Sequence, residues 1–314
     1  MNSKLPNHCL SIVGPTATGK TRRALELAED LLKVRRAAGV DLISVDSRQV
    51  YQGFEVLTGA DVPDGWQQQN DSGLPRQFFK HPEKQIALHG VSICELTEDW
   101  SLAHFVTFAR SVMQWSWANQ RQPIIVGGTG LYHKYLFSDD QTPMIPQDEA
   151  VRSSAELMSA VKLQEWLGQL DPVKLEQMNQ SDRANSRRLI RAIEIAMWKA
   201  RQTAESVAVV GSDEDDIKWS QVENEVELLT VPLAKIQSSI LQRVVERFDG
   251  GALQEVERLL ALKLPSSTPV LTTLGVPEIT QYLEGKISAT ECQQLWALHE
   301  FQYAKRQLTW WNKN

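Results

Sequence analysis

Gly14-Pro15-Thr16-Ala17-Thr18-Gly19-Lys20-Thr21 has the spacing of a phosphate-binding P-loop. It stands between a short apolar run, Cys9 to Val13, and an amphipathic stretch, Lys20 to Arg36, which read as a strand and a helix. In that setting the backbone amides of the loop and of the helix start face a polyanion, Lys20 adds a positive charge and the Thr21 hydroxyl can ligate Mg2+. Spacing alone makes a nucleotide such as ATP the default ligand. Any other diphosphate presents the same oxygens.

Three further clusters bear chemistry. Ser44-Val45-Asp46-Ser47-Arg48-Gln49-Val50-Tyr51 begins at the end of a second apolar strand, Leu42 to Val45. In a parallel sheet that end opens onto the same crevice as the loop, so Asp46 is a carboxylate aimed at the phosphate site. It can hold Mg2+ there, or simply cap the segment that follows. Ile124 to Tyr132 is a buried strand running into Gly127-Gly128-Thr129-Gly130, where glycines let backbone approach a ligand and Thr129 offers a hydroxyl. Arg187-Arg188-Leu189-Ile190-Arg191 opens a helix on which Arg187 and Arg191, four apart, share a face. A solvated basic face and a nucleic-acid contact both fit it. Arg243, in a helix read over Ile240 to Phe248, is anonymous by position alone.

Strands and helices alternate through the first 137 residues, which predicts an α/β fold with a parallel sheet covered by helices. A helix is expected over Leu102 to Asn119 and a third strand over Pro123 to Val126, while Val62 to Glu83, rich in glutamine, reads as a long surface loop. Residues 138–206 carry helical periodicity and no convincing strand, with apolar stripes Leu157-Val161-Leu163-Trp166-Leu170 and Leu189-Ile190-Ile193-Ile195-Met197. They are expected to form an all-helical insertion. Residues 207–314 return to the first domain: an acidic linker over Val207 to Glu225, a strand over Val226 to Val231, then helices from Ala234, Gly251, Pro277 and Ser288.

Composition narrows the classes. The net charge of −6 argues against a uniformly basic nucleic-acid binder, but charge is segregated: Arg183, Arg187, Arg188, Arg191, Lys199 and Arg201 crowd one stretch and Asp213 to Asp216 another. Three scattered cysteines and six dispersed histidines give no metal spacing and read as packing and surface residues. The apolar run near the N-terminus is too short for a signal peptide or a membrane span, so a cytoplasmic protein without membrane contact is expected.

Taken together, GPTATGKT, SVDSRQVYQG, VGGTGLY, RRLIRAIE and the C-terminal AKRQLTW resemble the tRNA dimethylallyltransferase family, also called tRNA isopentenyltransferases, in its order and across nearly the whole chain. The resemblance implies a P-loop NTPase-like sheet with a helical tRNA-gripping insertion. It also implies transfer of a dimethylallyl group from dimethylallyl diphosphate to the N6 amine of the adenosine 3′ to the anticodon, with Mg2+ as cofactor. Carried over by position, Gly14 to Thr21 would cradle the diphosphate, Thr16, Lys20 and Arg243 would act on it, and Thr21 would hold Mg2+. Asp46 would be the general base, and Asp46, Ser47, Arg48, Gln49 and Thr129 would line the cavity for the flipped adenosine. Arg152, Arg187, Arg188, Leu189, Ile190 and Arg191 would contact the tRNA anticodon stem-loop, and the enzyme would act as a monomer.

The chain departs from the family pattern at Glu55 to Asp61, where Asp-Ile-Gly-Thr-Ala-Lys-Pro is usual, at Val276-Pro277-Glu278, where Tyr-Arg-Gln is usual, and at Glu300-Phe301, where a Thr-Arg pair is usual. A P-loop small-molecule kinase leaves VGGTGLY and the arginine helix without a task. An adenylate isopentenyltransferase leaves the helical insertion without one, and a non-catalytic tRNA binder leaves the loop and Asp46 unexplained.

Overall fold

The structure, a computed structural model, describes residues 7–60, 62–204, 217–266 and 268–313. The chain divides into two compact units, one of Met1–Ser138 with Lys218–Asn314 and one of Asp139–Ile217.

The first unit is built on a seven-stranded sheet of β1 (His8–Val13), β2 (Gly39–Val45), β3 (Gln67–Gln69), β4 (Phe78–Lys80), β5 (Ile86–His89), β6 (Arg121–Gly127) and β7 (Glu223–Leu228), in the order β3-β4-β5-β2-β6-β1-β7. The five strands from β5 to β7 run parallel, and β3 and β4 add an antiparallel edge. Every residue of β2 is buried, as befits a strand covered on both faces. Register matters for function: Val13 on β1 and Val45 on β2 both lie opposite Gly127 of β6, so the loop after β1, Asp46 after β2 and Gly128 after β6 leave the sheet side by side.

The helices of this unit are α1 (Lys20–Lys33), α2 (Glu55–Thr58), α3 (Leu102–Ala118) and α4 (Gly130–Leu136), then α10 (Leu233–Arg247), α11 (Leu253–Ala261), α12 (Val276–Leu283) and α13 (Ala289–Trp311). Small residues on α1, Ala24 and Ala28, let it press onto the sheet in a core with Ile12, Leu42, Ile124 and Val126. Ser101 starts α3 with a reciprocal capping box to His104.

Several expectations need correction. The stretch Val62 to Glu83 is not one loop: it contributes β3 and β4, three-residue strands too short to show alternation, and the buried strand β5 follows at once. The returning strand begins at Glu223, inside the expected acidic linker, because β7 is an edge strand that keeps its carboxylates half in water. Linker residues 207–216, with the acidic run Asp213 to Asp216, lie outside the described residues, as does Asp61.

The second unit comprises α5 (Glu149–Ala155), α6 (Ala160–Leu170), α7 (Pro172–Gln177), α8 (Gln180–Arg183) and α9 (Ser186–Ala204). Its core joins Val151, Leu163, Leu167, Met178, Leu189 and Ile193. Of the first apolar stripe read from sequence, Leu163 alone is fully buried. Leu157 is 97% exposed because it precedes the Ser159 cap of α6, and Val161 faces solvent.

One charge is buried inside the sheet. Asp41 on β2 accepts from Arg121 Nε and Nη2 at 2.8 Å each, from Ser116 Oγ at 2.8 Å and from His89 Nε2 at 3.2 Å. Burial by itself raises a carboxyl pKa, but the hydrogen bonds from His89 and Arg121 outweigh it and hold Asp41 down at about 2. A carboxylate with a depressed pKa stabilises the fold above its ordinary value of 3.8, and that contribution is lost as pH falls through about 2. Asp41→Asn, which strands Arg121, is expected to cost about 3–5 kcal/mol. Urea unfolding at neutral pH measures this, and wild type and variant should converge as the pH is lowered toward 2.

Candidate active site

The ends of β1, β2 and β6 open into a cavity of about 490 Å³. Thr16, Ala17, Gly19, Lys20 and Thr21 form one wall, Asp46, Ser47, Arg48 and Gln49 a second, and Gly127 with Gly128 a third. Gly14, Pro15 and Thr18 stand behind the wall and shape the loop: Thr18 Oγ1 and Lys20 Nζ donate to Pro15 O at 2.9 Å and 2.6 Å. No side chain caps the start of α1, so its first amides remain available to an anion. Burial lowers the Lys20 pKa to about 8; the Asp46 carboxylate opposes that fall and Arg243 adds to it.

Asp46 caps the segment that follows it and also faces the cavity. Oδ1 accepts from the backbone N–H groups of Arg48 at 2.7 Å and Gln49 at 3.2 Å, closing a turn. Oδ2 has no hydrogen bond from any described residue, and the side chain lines the cavity. Its neighbours are already committed. Arg48 donates to Pro269 O at 2.7 Å and Thr272 Oγ1 at 3.0 Å, and Gln49 accepts from Ser44 Oγ and donates to Gly59 O at 2.8 Å. Arg48 therefore works first as a tie between the turn after β2 and the segment before α12.

The fourth wall comes from the C-terminal helices. Trp296, Glu300, Tyr303 and Gln307 on α13 all line the cavity, and their spacing of four, three and four residues puts them on one helical face. That periodicity is present in the sequence, and Gln307 lies within AKRQLTW. Gln307 Oε1 accepts from Thr16 N at 2.9 Å, and a Cβ on Gly128 would strike the same Gln307 amide, so glycine is needed there for the close approach. Burial first, then the charge of Asp46, raises the Tyr303 phenol pKa. Thr129, one residue beyond the glycine wall, has a buried hydroxyl with no close hydrogen-bond partner; Tyr303 approaches it without ordinary hydrogen-bond geometry. Arg243 and Arg247 reach the cavity from α10, and Arg247 pairs with Glu300 at 3.3 Å.

The departures from the family pattern have structural work. Glu55 Oε1 accepts from Gly53 N and Ser92 Oγ. Glu278 accepts from Gly275 N at 2.9 Å to cap α12 and pairs with His299. Cys9, Cys94 and Cys292 are each buried and unpaired with one another. Among the described residues no cluster of three or more His, Cys, Asp or Glu could hold a metal, and no helix is long and apolar enough to cross a membrane.

In the second unit, Arg152 Nε and Arg191 Nη1 both donate to Glu194, at 2.7 Å and 3.1 Å. Burial raises the pKa of that carboxyl, and the two arginines more than reverse the effect. Arg191 also donates to the carbonyls of Thr142, Ile145 and Pro146. Arg188 pairs with Asp182, and Arg187 is exposed. Leu189 is wholly inside the core and Ile190 is half-buried against it. Of the run 187–191, Leu189 holds the helix from within, and the charged groups that can meet an anion are the arginines.

Comparison with known proteins agrees with this geometry. Residues 76–314 match the family model described as IPP transferase. A tRNA dimethylallyltransferase from Exiguobacterium is 34% identical over 95% of this chain and 85% of its own length. The crystal structure of a tRNA isopentenylpyrophosphate transferase from Bacillus halodurans superposes with a TM-score of 0.61 at 25% identity, covering 98% of this chain and 88% of that one. A eukaryotic dimethylallyltransferase shares the fold, with a TM-score of 0.70 at 20% identity over 96% of this chain and 69% of its own. With the loop, the carboxylate and the arginines converging on one cavity, and a match over most of its length, the chain belongs to the tRNA dimethylallyltransferase, or IPP transferase, family.

Proposed function

We propose that this protein transfers the dimethylallyl group of dimethylallyl diphosphate to the exocyclic N6 amine of the adenosine 3′-adjacent to the anticodon, adenosine 37, within a P-loop-like sheet. The observation that carries the reading is a single cavity with Lys20, Arg243 and the loop amides on one side and a carboxylate held by one oxygen, Asp46, on another. An adenine amine is a weak nucleophile because its lone pair is delocalised into the ring. Asp46 Oδ2 takes the N6 proton as the carbon–nitrogen bond forms, a contribution of roughly 10²–10⁴ in rate. As the allylic C–O bond breaks, the electron pair leaves with the diphosphate, where Lys20, Arg243, the hydroxyl of Thr16 on the cavity wall and the start of α1 stabilise it.

The residues fit Mg2+ in the manner usual for diphosphate sites, one hydroxyl with the remaining ligands from substrate and water; Thr21, on the cavity wall, would hold it. When bound, the ion neutralises charge on the departing diphosphate. No step requires cleavage of ATP. The adenosine leaves its stack at a cost of a few kcal/mol, roughly, and less in a single-stranded loop. Ser47, Gln49, Gly128 and Thr129 surround the place it reaches, while Arg187 and Arg188 on the helical unit meet the tRNA backbone and Arg152 and Arg191 fix that helix. The protein acts in the cytoplasm as a monomer.

Asparagine at position 46 can still accept the Arg48 and Gln49 amides but cannot take a proton. Asp46→Asn is therefore expected to bind dimethylallyl diphosphate and tRNA normally and to lose turnover by about 10²–10⁴, measured by single-turnover prenylation of tRNA. Turnover within a few fold of wild type removes Asp46 as the base, and labelling of AMP in place of tRNA overturns the acceptor. Arg187→Ala is expected to weaken tRNA binding and reduce the slope of log K against log salt by about 1. Arg191→Ala should lower the melting temperature as well, because it takes one of two arginines from Glu194 and leaves three carbonyls without that donor.

A further inference from the structure

Two arginines one helical turn apart reach the donor side of the cavity, and they are not equivalent. Arg243 and Arg247 both crowd Gly59, whose φ of 58° ends α2: a Cβ there would fall within the Arg247 guanidinium and 2.8 Å from Arg243 Nη2. The missing side chain is what lets two like charges lie side by side over that turn. Only Arg247 has a counter-charge in the wall. Its Nη1 lies 3.3 Å and 3.4 Å from the two Glu300 carboxylate oxygens, and the pair is 9% and 6% exposed.

Resting on the diphosphate reading above, we propose that Glu300 is a positioning residue that sets the charge of the leaving-group site, neutralising Arg247 so that it adds no net charge beside Arg243 and Lys20 where they face the anion. The chemistry gives this a purpose. When the allylic C–O bond breaks, the ester oxygen becomes an anionic oxygen, so the departing inorganic diphosphate carries one more negative charge than it did as the ester. Every uncompensated cation in the wall therefore holds product more tightly than donor. A carboxylate that cancels one arginine sacrifices a little donor affinity and eases product release.

The test is calorimetric titration of the full chain with inorganic pyrophosphate and with dimethylallyl diphosphate. Glu300→Gln is expected to bind pyrophosphate about tenfold tighter than wild type, with a smaller gain for the ester, since a freed charge several Å from the anion is worth on the order of 1 kcal/mol or more. Glu300→Asp, which keeps the charge, should bind as wild type does. Glu300→Gln with Arg247→Met leaves no buried charge unpaired and is expected to fold and to bind pyrophosphate within about twofold of wild type. Weaker pyrophosphate binding by Glu300→Gln, or a large loss of affinity in the paired variant, overturns the proposal by showing that Arg247 already serves the anion. The paired variant decides the matter even if the single one does not fold. A wild-type chain that binds neither ligand instead removes the diphosphate reading itself.

Discussion

A backbone amide of the phosphate-binding loop is held by a side chain 291 residues further along: Gln307 Oε1 accepts from Thr16 N, and the same amide seats against Gly128. That one contact joins the first loop, the glycine turn after β6 and the last helix, so the cavity exists only when both ends of the chain have found each other. Its other walls depend on similar long ties. Arg48 binds the segment before α12, and Glu255 on α11 accepts the amides of Val56 and Leu57 to start α2. A site assembled this way is stiff in the places where groups must meet a substrate and can leave Asp46 Oδ2 without a protein partner.

Charge in this cavity is arranged by subtraction as much as by addition. The cations Lys20, Arg243 and Arg247 stand against Asp46 and Glu300, and desolvation already brings Lys20 near the point of losing its proton. Placing several cations together in a partly dry site is costly unless an anion offsets them. Asp46 does so toward Lys20 and Glu300 toward Arg247, and a bound diphosphate completes the balance. The sheet interior follows the same rule elsewhere, with Asp41 tolerated because Arg121, His89 and Ser116 occupy both of its oxygens.

Much of this was legible in the residues. β1, β2 and β6 are apolar runs that end in glycine or aspartate, and a parallel sheet obliges such ends to share a crevice. Other features left no local trace. Phe78–Lys80 becomes a strand because β5 offers it an edge, and Gln67–Gln69 because β4 in turn offers one, which neither their length nor their alternation announces. Leu157 fits a helical stripe by spacing, yet the chain starts its helix after Ser159 and leaves it in water. Glu300 is in sequence only a departure from the family pattern, and it faces Arg247, a partner 53 residues away. Pairing across such distances is decided by packing that no window of sequence contains.

The position of β1 in the sheet has a consequence for how the protein is made. Its neighbours are β6 on one side and β7 on the other, His8 lying opposite Glu223, so the first strand synthesised is the last to be enclosed. At 5–20 residues per second, roughly ten to forty seconds separate the appearance of β1 from that of β7. Throughout that interval an apolar strand bearing the phosphate loop has at least one edge open to pairing with any other chain. That exposure is a kinetic burden that follows from placing β7, a sheet partner of the strand bearing the ligand loop, after an inserted unit.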